Sequence, residues 1–161
     1  MNQVLQSGSV TPTHLAAWVT DGVLGDAGVT FQNTNAEFVA TITSINFNQI
    51  SFDNQILINL PAGYTRWRCT RVLISGASGS LSTATAGLFT GATGTGTQIV
   101  ASGSAITVTS GTADTNHNMQ SMTIANQDTL CYSDTAIYWR NQVAQGVAAT
   151  GNVSVFYEVL P

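Results

Sequence analysis

The sequence contains no lysine, and only 7% of its 161 residues are charged, whereas an ordinary globular protein has about 25%. Four arginines and eight acidic residues give a formal net charge of −4. General binding to nucleic acid depends on basic side chains that neutralise phosphates, so the composition argues against that function. Such a surface fits either a naturally neutral β protein or one that other subunits partly cover.

The sequence also lacks a run of 18 apolar residues, so we expect no membrane-spanning segment. Residues 1–7 have neither a basic start nor an apolar centre, which argues against a secretory signal and predicts synthesis in the cytoplasm. Only two cysteines are present, Cys69 and Cys131. Both lie in apolar, strand-like runs, and we expect two buried free thiols rather than a disulfide.

No motif for catalysis, metal binding or cofactor binding is complete. The glycine-rich loop 91–96 lacks the lysine and helix of a P-loop. Asp114, His117 and Ser121 could form a triad only around a strained nucleophile turn, which their polar loop does not provide. His14 and the other possible ligands lack the paired spacing of a zinc site. We therefore expect a protein that is not an enzyme and has no metal or cofactor.

Short alternating apolar and polar stretches fill the chain from Glu37 onward, and turn residues separate them. Turns every 8–12 residues or so are typical of a β-sandwich or barrel rather than an α/β fold. Eight strands would complete the two Greek keys of a jelly roll. We therefore expect an all-β, jelly-roll-like sandwich over residues 31–161. The expected strands are 37–43, 45–50, 56–60, 66–75, 83–90, 98–101, 105–109, 119–125, 129–132, 136–140 and 152–159.

Residues 1–30 have few apolar residues and no long periodic run, which predicts an extended N-terminal arm. Asp21-Gly22 stands between two apolar pairs and indicates a hairpin, because glycine accepts the positive φ of a tight turn. The alternative is a short helix with Thr11 as its N-cap and Pro12 as its first residue.

The arm cannot bury itself in either form. We therefore expect it to lie along its own domain or along a neighbouring subunit. Its larger apolar side chains, Leu15, Trp18 and Val23, are the residues that we expect to contact a partner.

Residues 66–75 contain three of the four arginines. Their first half alternates, with Arg66, Arg68 and Thr70 on one side and Trp67, Cys69 and Arg71 on the other, as in a strand with two unlike faces. Residues 72–74 are wholly apolar, which indicates a covered region.

The arginines of this strand have two interpretations. They could discourage edge-to-edge pairing on a solvated edge. They could instead form a docking face for an acidic partner, because arginine binds carboxylates in a bidentate manner and arginine and tryptophan are enriched at interface hot spots. The docking residues would then be Arg66, Trp67 and Arg68, and we expect both arginines to point away from the core.

Three other aromatic residues, Tyr132, Tyr138 and Trp139, lie in strand-like runs. We interpret them as core and rim of the sandwich. Aromatic side chains also stack on sugars in many β modules, so a glycan-binding platform stays the alternative.

Two stretches resemble known proteins. The N-terminal stretch through residue 28 resembles an element of tailed-bacteriophage virion proteins in which Thr-Pro-x-His-Leu-x-x-Trp precedes an Asp-Gly-Val turn and an Asp-x-Gly end; here it begins Thr11-Pro12-Thr13-His14-Leu15-Ala16-Ala17-Trp18. The second stretch, residues 58–68 continued by 81–90, resembles the β domain of small phage structural proteins and contains Leu60-Pro61-Ala62-Gly63-Tyr64-Thr65-Arg66-Trp67-Arg68.

The resemblance implies a virion structural protein without catalytic residues. One placement is a capsid decoration, or cement, protein that binds the major capsid protein on the outer surface of the head and stabilises it against genome pressure. The other is a tail-fibre, spike or baseplate component whose β domain attaches to a host glycan. In both placements we expect a closed homo-oligomer, a trimer with a dimer as the alternative.

Overall fold

The computed structural model describes residues 37–109, 119–125 and 130–160 in full, and three strands in the first 30 residues by their backbone alone. The chain divides into two compact units, residues 1–34 and 35–161. No helix in the part of the chain that is described has the length and apolarity needed to cross a membrane. The strands are β1 (Leu5–Gln6), β2 (His14–Thr20), β3 (Val23–Thr30), β4 (Glu37–Asn46), β5 (Asp53–Leu57), β6 (Arg66–Ser75), β7 (Thr85–Phe89), β8 (Gln98–Ala105), β9 (Met119–Met122), β10 (Ala136–Val143) and β11 (Thr150–Leu160).

The first unit contains a three-stranded sheet in the order β1-β3-β2. β2 and β3 are antiparallel, with Trp18 opposite Leu24, and β1 runs parallel to β3. The strand through Trp18 agrees with the hairpin interpretation and not with a helix that reaches this residue. The predicted turn at Asp21-Gly22 and the predicted helix start at Thr11 and Pro12 lie outside the described residues.

The second unit is a sandwich of two four-stranded antiparallel sheets, β4-β11-β6-β9 and β5-β10-β7-β8. Numbered from one to eight along this unit, the strands have the orders 1-8-3-6 and 2-7-4-5. This arrangement is the double Greek key of a jelly roll. The all-β, jelly-roll-like fold expected from the sequence is therefore confirmed.

The core lies between the two sheets and follows the period of two that a strand imposes. Along β11 the buried residues Val153, Val155, Tyr157 and Val159 alternate with partly exposed ones, as the sequence predicted. Trp139 donates its indole N–H to Asn141 Oδ1 at 3.0 Å, so this buried donor is satisfied. No buried side-chain polar atom among the described residues lacks a hydrogen-bond partner.

Several expected strands have different bounds. β4 continues to Asn46, so the separate strand expected at 45–50 is wrong. The two expected strands form one strand that contains a bulge, in which two residues, Thr43 and Ser44, stand opposite Asn152 alone. Ser44 adopts a φ of 58° and its backbone N–H donates to Asn152 Oδ1 at 3.1 Å.

Two more boundaries differ from the expectation. β5 covers residues 53–57 rather than 56–60, and β8 is one strand over 98–105 where two were expected. Gly103, with a φ of 78°, adopts a conformation that other residues rarely accept and keeps β8 continuous through an irregular pairing. The expected strand 129–132 is reduced to an isolated bridge between Trp67 and Tyr132.

The two cysteines differ in exposure. Both are free, but only Cys69 is buried and Cys131 is exposed, so the expectation of two buried thiols is wrong for Cys131. The bridge to Trp67 turns Tyr132 inward, and its neighbour in the extended chain then faces outward. Burial raises the pKa of the Cys69 thiol to about 12, which keeps it protonated.

Candidate interaction surface

The outer side of the sheet β4-β11-β6-β9 contains three of the four arginines of the chain and two glutamates. We call it the arginine face, and define it by Glu37, Arg66, Arg68, Arg71, Phe156 and Glu158. The buried Trp67 and Cys69 of β6 face the core, so the alternating Arg66 and Arg68 face outward. The predicted outward direction of these two arginines is confirmed.

Arg71 also points outward, although the sequence placed it on the same side as Trp67. In the pairing of β6 with β11, Cys69 stands opposite Tyr157 and Arg71 stands opposite Phe156. Thr70 is thus one extra residue on β6, and such a bulge shifts every following side chain to the other face. The shift puts Arg71 in solvent and returns Val72 to the core.

Trp67 does not belong to this surface. Its side chain is fully buried, and its indole N–H donates to the carbonyl of Asp134 at 2.8 Å. Its ring lies 4.8 Å from that of Tyr132 and 5.7 Å from that of Tyr157. The prediction that Trp67 docks a partner is therefore corrected: the side chain fills the end of the core beneath the arginines.

The ion pairs of the arginine face cross three strands. Arg68 Nη2 lies 2.6 Å from Glu158 Oε2, and Arg71 Nη2 lies 3.8 Å from Glu37 Oε2. The side chains of Arg68 and Arg71 remain 40% and 47% exposed. Pairs this exposed contribute only about 0–1 kcal/mol, so either guanidinium could exchange its partner for a carboxylate on another protein at little cost.

Exposed apolar side chains lie on the same side of this sheet. Val39, which is 56% exposed, stands opposite Phe156 on the outer side of β4. Met119, which is 60% exposed, lies at the other edge of the same sheet, opposite Ser75. A face that combines arginine, an aromatic ring and exposed apolar residues has the composition of a protein–protein contact.

The fourth arginine serves a different purpose on the opposite sheet. Arg140 Nη1 lies 2.8 Å from Asp53 Oδ1, and these side chains are only 16% and 20% exposed. Asp53 also accepts the backbone N–H of Thr93 through Oδ2 at 2.6 Å. The loop 91–96 is therefore tied down onto the sandwich, and Phe89 is buried beside it.

This clamp was not predicted from the sequence. Its acid and base are far apart in the sequence, and only the pairing of β5 with β10 brings Asp53 opposite Arg140. The glycine-rich composition of the loop was a local signal, because Gly94 lies beside the Arg140 side chain and has a φ of 74°, which favours glycine.

The predicted contact residues of the N-terminal unit are placed by backbone only. Leu15 and Trp18 lie on β2 and Val23 is the first residue of β3. Their side chains are outside the described residues, and their role as partner contacts stays a prediction.

The structure describes only some of the residues of the other candidate sites. Asp114 and His117 are outside the described residues, and Ser121 is exposed on β9. Within the described ranges, no group of three or more His, Cys, Asp or Glu residues could hold a metal ion. Tyr132 and Trp139 are buried and Tyr138 is half-buried, which confirms their interpretation as core and rim.

Neither a scan against protein-family models nor searches of curated proteins and of solved structures found a match to the chain.

Proposed function

We propose that this protein is a structural component of a tailed-phage virion that binds the outer surface of the assembled head and stabilises it. The observation that carries the proposal is the jelly-roll strand order of residues 35–161, since jelly rolls recur in capsid and lectin domains. The N-terminal unit that precedes this sandwich contains the stretch resembling virion proteins.

The arginine face is the part of the sandwich that would dock on the major capsid protein. Arg68 and Arg71 would exchange Glu158 and Glu37 for acidic groups of that protein, while Phe156 and Val39 would supply apolar contact. The strands of the N-terminal unit could add backbone hydrogen bonds to an exposed sheet edge of the shell.

Stabilisation would follow from mass action. A protein that binds the assembled shell but not its separated subunits stabilises the shell by RT ln(1 + [L]/Kd), or about 2.7 kcal/mol per site at a hundredfold excess over Kd. A copy that contacts two adjacent capsid subunits would thus oppose the outward pressure of the packaged genome.

A second candidate is a tail-fibre, spike or baseplate component that binds a host glycan. The division into an N-terminal unit and a jelly roll favours it, since one unit could attach to the tail while the other binds sugar. The burial of Trp67 and Trp139 weighs against it, because neither indole can stack on a sugar in this fold.

The test is to purify particles of the phage that encodes the chain, separate heads from tails, and count the protein in each by quantitative mass spectrometry. Hundreds of copies on heads would support decoration, and the number would identify the symmetry axis. A few copies on tails would favour the second candidate. Absence from both would overturn both.

A variant pair tests the docking face. When added to heads from which this protein has been removed, Arg71→Glu should occupy fewer sites than the wild type, because it places an acidic group where an acidic partner surface is expected. Gln55→Glu introduces the same acidic side chain at an exposed position of the opposite sheet and should bind as the wild type does. Equal occupancy by Arg71→Glu and the wild type would remove the arginine face from the proposal.

A further inference from the structure

Among the described strands of the sandwich, β4 forms the longest open sheet edge. Among the strands that the structure describes, β4 is paired with β11 alone, and it is ten residues long. The edge strands β5 and β9 have five and four residues. β8 is longer but partly covered, since the N–H of Ala125 donates to the carbonyl of Ile99 at 2.9 Å.

Within the ranges that the structure describes, the first half of the β4 edge carries none of the usual protection against pairing. Monomeric proteins protect such edges with lysine, proline, bulges or a covering segment. Residues 38–43 read Phe-Val-Ala-Thr-Ile-Thr, with no charge and no proline. The bulge at Thr43 and Ser44 interrupts only the far end, so Glu37 to Ile42 pair regularly with β11.

Core side chains also reach this edge. Phe38, Ala40 and Ile42 are partly buried and pack against the core from the inner side of β4. Val39 is 56% exposed on the outer side. A strand added at this edge would cover the flanks of these apolar residues as well as the open backbone groups.

We propose that the β4 edge pairs with the β4 edge of a second copy, antiparallel about a two-fold axis at Ala40, so that two four-stranded sheets join into one of eight strands. In this register Phe38 of one copy stands opposite Ile42 of the other, and Val39 opposite Thr41. Each residue meets a partner from the same side of the sheet, and β-branched and aromatic residues favour such cross-strand pairs.

The charges also fit a second copy. Glu37 is the only charged residue of β4, and it is already engaged by Arg71 and by the Thr70 hydroxyl at 2.7 Å. Antiparallel pairing puts the two Glu37 residues at opposite ends of the contact, roughly 20 Å apart. That separation exceeds the screening length of about 8 Å at physiological salt, so like charges do not oppose the pairing.

The proposal makes the protein a dimer, the alternative to the trimer expected from the sequence. It does not depend on head decoration, because the same edge would pair in the free protein. A failed decoration assay and a failed dimer assay are therefore separate outcomes.

Sedimentation equilibrium on the full chain tests the dimer. The wild type should have twice the monomer mass of 16.8 kDa. Thr41→Lys puts two cations beside the axis and should raise the dimer dissociation constant by at least about tenfold. Ser121→Lys, an exposed position on the other edge strand, should leave the dimer unchanged. A monomeric wild type, or a Thr41→Lys variant that associates like the wild type, would overturn the proposal.

Cysteine cross-linking tests the register of the β4–β4 contact and identifies the segment that pairs with β4. Exposed Cys131 is first replaced in Cys131→Ser, while buried Cys69 is left in place. Chains with Val39→Cys mixed with chains with Thr41→Cys should form a disulfide-linked dimer on mild oxidation. Val39→Cys mixed with Ser121→Cys is the matched control and should not. If Thr41→Lys separates the copies but the first mixture does not cross-link, another segment such as the N-terminal unit of the second copy covers β4, and the β4–β4 contact is rejected.

Discussion

The guanidinium carbon of Arg71 lies 4.0 Å from the centre of the Phe156 ring, on the outer side of the sandwich. This cation–π contact exists because Thr70 is an extra residue in β6 and turns Arg71 away from the core. The bulge therefore determines whether Arg71, the third arginine of the strand, points into the core or belongs to the arginine face.

A double-mutant cycle measures this contact. Arg71→Ala, Phe156→Ala and the double variant should show a coupling of about 0.5–1 kcal/mol in urea unfolding, as exposed cation–π pairs do. Arg140→Ala combined with Phe156→Ala is the control, since Arg140 lies on the opposite sheet and the two effects should add within about 0.5 kcal/mol. A coupling near zero for Arg71 and Phe156 would show that the stacking does not stabilise the fold.

Trp67→Ala should act on stability because the side chain is fully buried. We expect a loss of about 3–5 kcal/mol from the lost burial and the cavity, and an additional effect from the Asp134 carbonyl, which loses its indole donor. Phe52→Ala, at an aromatic residue that is 51% exposed, is the control and should cost much less. Urea unfolding compares the two, and similar losses would contradict the burial of Trp67.

Asp53→Asn should destabilise the sandwich more than Glu158→Gln does. The Arg140–Asp53 pair is well shielded and also holds the N–H of Thr93, so we expect a loss of about 1.5–3 kcal/mol. The Arg68–Glu158 pair is half-exposed, so its loss should stay below about 1 kcal/mol. Asp53→Ala, which removes both carboxylate oxygens, should speed hydrogen exchange at the Thr93 amide, and unchanged exchange there would mean that the clamp does not hold the loop.

Stability should fall at alkaline pH. The pKa of Cys69 rises from 9.0 to about 12 on burial, so above pH 9.0 the unfolded chain loses a proton that the folded protein keeps. The stabilisation is complete below pH 9.0 and is lost as the pH rises towards 12, with a slope approaching about 1.4 kcal/mol per pH unit. Burial also raises the pKa of Tyr132, from 10.0 to about 12, and this adds a later decline.

Cys69→Ala separates the two contributions. In this variant the decline should begin only near pH 10.0, the ordinary pKa of tyrosine, whereas in the wild type it begins near pH 9.0. Urea unfolding as a function of pH measures both, and a profile that Cys69→Ala does not change would contradict the role of Cys69.

The sequence predicted those parts of the fold that depend on local alternation. β6 and β11 have the expected inward and outward residues almost throughout, because one face of each is buried and a one-residue shift would expose the apolar side chains. The order of strands was not predictable in the same way. It depends on pairs such as Glu37 with Glu158, which stand at opposite ends of the sandwich sequence.

The candidate site was predicted only in part, for a related reason. Arg66 and Arg68 were placed correctly by alternation, whereas Arg71 was placed wrongly because nothing around Thr70 marks a bulge. The exposure of Cys131 depends on a single bridge between Tyr132 and Trp67, which is a tertiary contact rather than a property of the local sequence.

The position of β11 between β4 and β6 has a consequence for biosynthesis. β11 is the last strand of the sandwich to leave the ribosome, so β4 and β6 have no common partner until residue 160 has emerged. Until then β4 has no partner in its sheet and β6 pairs only with β9, so a nascent chain presents two open strand edges, and neighbouring chains on one polysome present the same edges to each other. Slow release of the last strand would therefore favour aggregation during translation.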